Sequence, residues 1–132
     1  MKRGIRLARR REALIPLAWV MGQIACAGES CSDGEERRLA RLVEIALAEP
    51  GPTADAAEAA LVAAGPPAIL YVETGLYDAD PAGRRRLVRI LTRLGDREAA
   101  PILALLAARD PDPDVRSEAS AGARSLEAGS LP

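Results

Sequence analysis

Residues 95–126 read GDREAAPILALLAARDPDPDVRSEASAGARSL. The alternation Asp110-Pro111-Asp112-Pro113-Asp114 constrains this chain more than any other stretch. Proline has no N–H to give to a helix and pushes the residue before it out of helical geometry. Proline is tolerated in a helix's first turn, however, and aspartate is a favoured cap just ahead of it. The run therefore reads as a joint: one helix ends and a second begins at once. The joint has an echo. Asp80-Pro81-Ala82-Gly83-Arg84 aligns with Asp112-Pro113-Asp114-Val115-Arg116 at an offset of 32 residues. Leu61-Val62-Ala63-Ala64-Gly65 aligns with Leu91-Thr92-Arg93-Leu94-Gly95 at an offset of 30. A period near 30 residues with two helices per period is the mark of an α-solenoid, in which neighbouring pairs bury one another's faces.

Composition agrees with helices and disfavours strands. The chain has no Phe, one Trp and two Tyr, so Ala, Leu, Ile and Val must fill the core. Ala, Leu, Arg and Glu are good helix formers, whereas β-branched and aromatic residues favour strands. The spacing predicts an all-α domain over residues 35–128, an α-solenoid of about three antiparallel helix pairs. Residues 28–34 read as a linker and 129–132 as a tail.

In the first pair, Leu39, Leu42, Val43, Ala46 and Leu47 follow helical spacing from Glu35. Pro50 to Pro52 ends that helix, and Thr53 is a suitable cap for the next. The second helix buries Ala57, Ala60, Leu61 and Ala64 and stops at Gly65. The second pair opens on Pro66-Pro67, with Ile69, Leu70, Val72 and Leu76 as its apolar side. Its partner helix runs from about Pro81 to Leu94, with Leu87, Ile90, Leu91 and Leu94 on one face and Gly95 as the stop. In the third pair Ile102, Leu105 and Leu106 are expected to face inward. After the joint come Val115, Ala119, Gly122 and Leu126, a weakly apolar face suited to a terminal cap.

Residues 95–126 resemble a HEAT repeat of the short type also found in phycobilisome-lyase-like proteins. Gly95, Asp96, Glu98, Ala99, Pro101, Leu103 and Leu106 stand where that pattern has G-D-x-E-A-x-P-x-L-x-x-L. Asp110 to Pro113, Val115 and Arg116 stand where it has D-P-D-P-x-V-R. The resemblance implies structural roles. Asp112 should cap the second helix of its pair, and Arg116 should bind turn carbonyls or an acidic side chain, with Val115 beside them in the core. Asp80 and Arg84 take the same roles one repeat earlier. The resemblance extends over about residues 35–126 and implies a scaffold; a lyase activity does not follow from it.

The N-terminus has a different chemistry. Lys2, Arg3, Arg6, Arg9, Arg10 and Arg11 face a single acid there, Glu12. The uncharged, largely apolar run ALIPLAWVMGQIACA follows at residues 13–27, ending in Ala25-Cys26-Ala27. Basic, apolar and small-residue regions in that order form the pattern of a bacterial secretory signal peptide, cut after Ala27. The reading implies a secreted or periplasmic protein. Two others stand beside it: a lipoprotein signal acylated on Cys26, the one route here to a membrane, and an extra amphipathic helix of a cytoplasmic stack. If the chain is cut after Ala27, Cys31 is left as a free thiol or an interchain link.

Several function classes are disfavoured. The chain has no His, which removes the commonest general base and metal ligand. Two cysteines do not make a zinc site. Asp110, Asp112 and Asp114 lack the Gly turn and distant bidentate Glu of a calcium loop. No metal, cofactor or catalytic residue is expected, and Ser117, Ser120 and Ser125 have no activating base. From Gly28 onward there are 12 basic and 18 acidic residues, a net charge of −6 that opposes phosphate binding. Scarce aromatics oppose base stacking. The expectation is a non-enzymatic module or scaffold that binds an unidentified protein. A nucleic-acid-binding module and an accessory lyase-like protein using Cys31 are the rivals. Arg86, Arg89 and Arg93 fall on one side of their helix and are the candidate contact residues, because guanidinium groups fork onto carboxylates.

Overall fold

A computed structural model describes residues 32–129. The chain divides into two compact units, Met1–Arg37 and Arg38–Pro132. The stretch read as a signal peptide (residues 1–27), with Cys26 in it, and Cys31 lie outside the described residues. Of the first unit, residues 32–37 are described; they form the exposed start of helix α1, which runs over 32–47. That start falls inside the stretch read as a linker. Asp33, Glu35 and Glu36 place negative charge in the first turn, where the helix dipole favours it.

The helices of the second unit follow in order. They are α2 (Pro52–Ala64), α3 (Ile69–Leu76, entered through a 3-10 turn at Pro66–Ala68), α4 (Pro81–Leu94), α5 (Ala99–Arg109) and α6 (Pro113–Gly129). No strand occurs among the described residues. The elements pair as the spacing requires: α3 packs on α4, and α5 packs on α6. Between pairs, α4 packs against both α2 and α6, so α4 is the centre of the row α2–α4–α6.

The starts and stops are local and mostly match expectation. Gly65 and Gly95 end their helices with φ of 76° and 69°, backbone that glycine adopts without steric cost. Thr53 is not the cap of α2. Pro52 occupies the first turn behind Gly51, and no side chain caps the end. The proline fixes φ near the helical value, and the N–H it lacks is one that has no partner within the helix.

One core joins the pairs. Leu39, Val43 and Ala46 of α1, Ala57 and Leu61 of α2, and Ile69 and Val72 of α3 belong to it. So do Leu87, Val88, Ile90 and Leu91 of α4, Ala99 and Leu103 of α5, and Val115, Ala119 and Leu126 of α6. Two helices turn differently from expectation. In α3, Leu70 is 63% exposed, and Ile69 and Val72 carry the buried side. In α5, Leu105 is 56% exposed, while Leu103 and Ala99 are buried. Both helices are apolar nearly all round, so sequence spacing offers no polar side to mark the outside.

The face of α6 is buried at Val115, Ala119, Gly122 and Leu126, as its spacing predicts. Its outer positions Ser117, Ala121, Arg124 and Ser125 are exposed, as a terminal helix requires. A Cβ on Gly122 would collide with Thr92 Oγ1 of α4 and press on Leu103 Cδ1 of α5 at 3.2 Å. Glycine is there so that α6 can approach α4 closely, which outweighs its poor helix propensity.

Candidate functional site

The joints between helices are built first, and they fix where the surfaces lie. Asp80 caps α4 by accepting a hydrogen bond from the Gly83 N–H at 2.8 Å. Asp112 Oδ1 accepts from the N–H groups of Asp114 and Val115, at 2.9 and 3.0 Å, at the start of α6. Arg116 donates to the carbonyls of Asp110 and Pro111. Val115 is fully buried. The repeat roles implied for Asp80, Asp112, Val115 and Arg116 are the roles these residues play.

Arg84 does more than its counterpart. It donates to the Ala79 carbonyl at 2.9 Å and, through Nε and Nη2, to both carboxylate oxygens of Asp110 at 2.8 and 3.0 Å. The pair ties the joint of one repeat to the joint of the next. Asp110 is the buried acid among the described residues, with its side chain 3% exposed. Burial pushes its carboxyl up. The hydrogen bonds from Arg84 and the Asp112 N–H, with the Arg84 and Arg116 charges, outweigh burial and hold it below the ordinary value of 3.8. The sequence places Asp110 in the Asp/Pro joint and gives it no partner beyond capping. The signal that could have found it was the repeat register, because Arg84 lies one period before Arg116.

The arginines of α4 are divided between two neighbours. Arg86 and Arg93 lean towards α2, onto Asp55 at 3.6 Å and Glu58 at 2.8 Å. Arg85 and Arg89 lean towards α6, where Glu118 receives both, at 2.9 and 3.9 Å. The expected single row of Arg86, Arg89 and Arg93 is therefore split. Arg86 is also largely enclosed, its side chain 15% exposed and its Nη1 buried without a hydrogen-bond partner. These groups fasten α4 to α2 and α6. Arg89 and Arg93 keep about half of their side-chain surface open to solvent.

The opposite row presents a different surface. Leu70, Tyr77 and Leu105, at 63%, 82% and 56% exposure, are the large hydrophobics left exposed among the described residues. All three belong to α3, its end, or α5. They line a groove between those two helices that consists of two depressions of about 600 and 400 Å3. Glu73, Ile102 and Leu105 are shared by both depressions, so the groove is continuous. Pro66, Pro67, Glu98 and Pro101 border one end. Tyr77, Arg109 and Pro111 border the other, where the Arg84–Asp110 pair forms part of the wall. Sequence reasoning assigned Leu70, Leu105 and Ile102 to the core, and so did not see the groove they form.

Paired helices, a capped Asp/Pro joint and an arginine reaching from one joint to the next define a helical-repeat protein. The comparison with known families agrees: residues 71–127 match the model described as HEAT repeats. No curated protein and no solved structure matches the chain.

Proposed function

We propose that residues 38–129 form a non-enzymatic protein-interaction module whose contact surface is the groove between α3 and α5. HEAT repeats are in general protein-interaction modules. The observation that carries the reading is the gathering of Leu70, Tyr77 and Leu105 along one groove, while the charges of α4 are engaged within the fold. Contiguous apolar surface on an otherwise charged domain marks an interaction site. The half-exposed Arg89 and Arg93 lie on the row of α2, α4 and α6 and are a second, polar contact region for a large partner.

Photo-crosslinking tests the assignment. A benzophenone amino acid at position 105 should capture protein adducts in an extract of the native host, and one at position 89 should capture few. Adducts from 89 and none from 105 would move the contact surface to the arginine row.

We propose also that residues 1–27 direct export, with a mature chain beginning at Gly28. Intact mass of protein from its native host checks this. A full-length mass would remove the proposal, and acylation at Cys26 would replace it with membrane anchoring. The phycobilisome-lyase-type likeness supplies the repeat pattern only; Cys31, the thiol a lyase reading would use, lies outside the described residues.

A further inference from the structure

We infer that the groove between α3 and α5 takes a short amphipathic α-helix of a partner protein, laid antiparallel to α5. The inference rests on the proposed interaction role and names the chemistry of the occupant.

Length comes first. The groove follows α5 from Glu98 to Arg109, which at the helical rise is about 16 Å. That accommodates about three turns of helix. A stable dimer buries about 800 Å2 on each partner, and a strip of this length and one helix width (about 10 Å) offers far less. The groove is thus too small for a second copy of the chain and suits a segment.

Backbone chemistry selects helix over strand. Both walls are helices, whose backbone groups are already bonded within themselves. An extended peptide would find no edge to pair with and would gain no backbone hydrogen bonds from the groove. A helix brings its backbone bonds with it and needs only apolar side chains spaced to meet Leu70, Ile102 and Leu105.

Charge sets the direction. Glu98 lies at one end and Arg109 at the other, with Glu73 between them, and among the described residues none of the three makes an ion pair. Arg84 and Asp110 at the Arg109 end neutralise each other. A ligand helix with acid at its N-terminus and base at its C-terminus complements its own dipole. It meets both ends of the groove only with its N-terminus over Arg109, hence antiparallel to α5.

The probe is a stapled peptide of about 12 residues with Leu at helical spacing, Glu in its first turn and Lys in its last. A second peptide has the Glu and Lys positions exchanged. Anisotropy titration with the full chain should show the first binding about fivefold tighter, the scale of two rim charge pairs. The variant Glu98→Lys with Arg109→Glu should invert that preference, and Leu105→Glu should abolish binding of both peptides. All these positions are exposed, and circular dichroism confirms that each variant stays folded. Equal binding of the two peptides, or binding that survives Leu105→Glu, overturns the inference. So does sedimentation of the free chain as a dimer that Leu105→Glu dissociates, since a second copy would then be the occupant. Protein adducts from position 105 with no peptide preference would sink the helix and leave the interaction role standing. The absence of both would sink the two together.

Discussion

At the scale of single residues, the Arg84–Asp110 pair does the most, and it does so in a pH-dependent way. The folded Asp110 carboxyl titrates below its ordinary value of 3.8. The unfolded chain therefore takes up the proton first as pH falls. The stabilisation is present in full above that ordinary value and is lost as pH drops from it through the folded one. Removing one partner of an enclosed, doubly hydrogen-bonded pair strands the other, at a cost of about 3 kcal/mol. Urea unfolding should show Asp110→Asn less stable than the parent by roughly that amount at pH 7. The gap should narrow at pH 3, where the parent has lost part of the contribution. Parallel pH profiles for the two proteins would contradict the assignment.

At the scale of elements, capping and close approach decide how helices start and how tightly they meet. Asp80 accepts one backbone N–H and Asp112 accepts two. Asp80→Ala should cost about 1 kcal/mol and Asp112→Ala more, read as midpoint shifts in denaturant. Gly122→Ala tests the contact between α4 and α6. Helix propensity alone favours Ala by about 1 kcal/mol, yet the new methyl meets Thr92 Oγ1. Net destabilisation of about 1–2 kcal/mol is expected, because overpacking of a tight contact outweighs propensity. Thr92→Ala in the same chain should recover much of it, and a double-mutant cycle measures the coupling. Additive effects would show that α6 has room to shift.

At the scale of the whole second unit, stability is shared between neighbouring pairs, and α4 is the element most others lean on. It packs against α2, α3, α5 and α6 and has five buried residues. Native-state hydrogen exchange should be slowest in α4, at positions such as Leu87 to Leu91, and faster in α2, which buries three residues against the five of α4. Equal protection along the row would indicate a fully cooperative unit. The same asymmetry underlies the proposed function. The α2–α4–α6 row uses its charges to hold itself together, and the α3/α5 face leaves apolar side chains exposed.

How much of this was legible follows from where each property is decided. The Asp/Pro joints, Gly65, Gly95 and the 30-residue period were readable because caps and breakers act on the backbone within a few residues. The face of α4 was readable too, since arginines mark its outside and Leu87, Ile90 and Leu91 its inside. The direction of α3 and α5 was not. In ILYVETGL and AAPILALLAAR apolar residues occur on nearly every side. Only the packing of α3 on α4 and of α5 on α6 decides that Val72 and Leu103 go in while Leu70 and Leu105 stay out. The partners of Arg84, Arg86, Arg89 and Arg93 were hidden for the same reason, being set by helices about 26–35 residues away. Sequence by itself determined the repeat and its joints, which are local chemistry. The groove and the division of the arginines belong to the tertiary structure, because burial and ion pairing depend on which helices become neighbours.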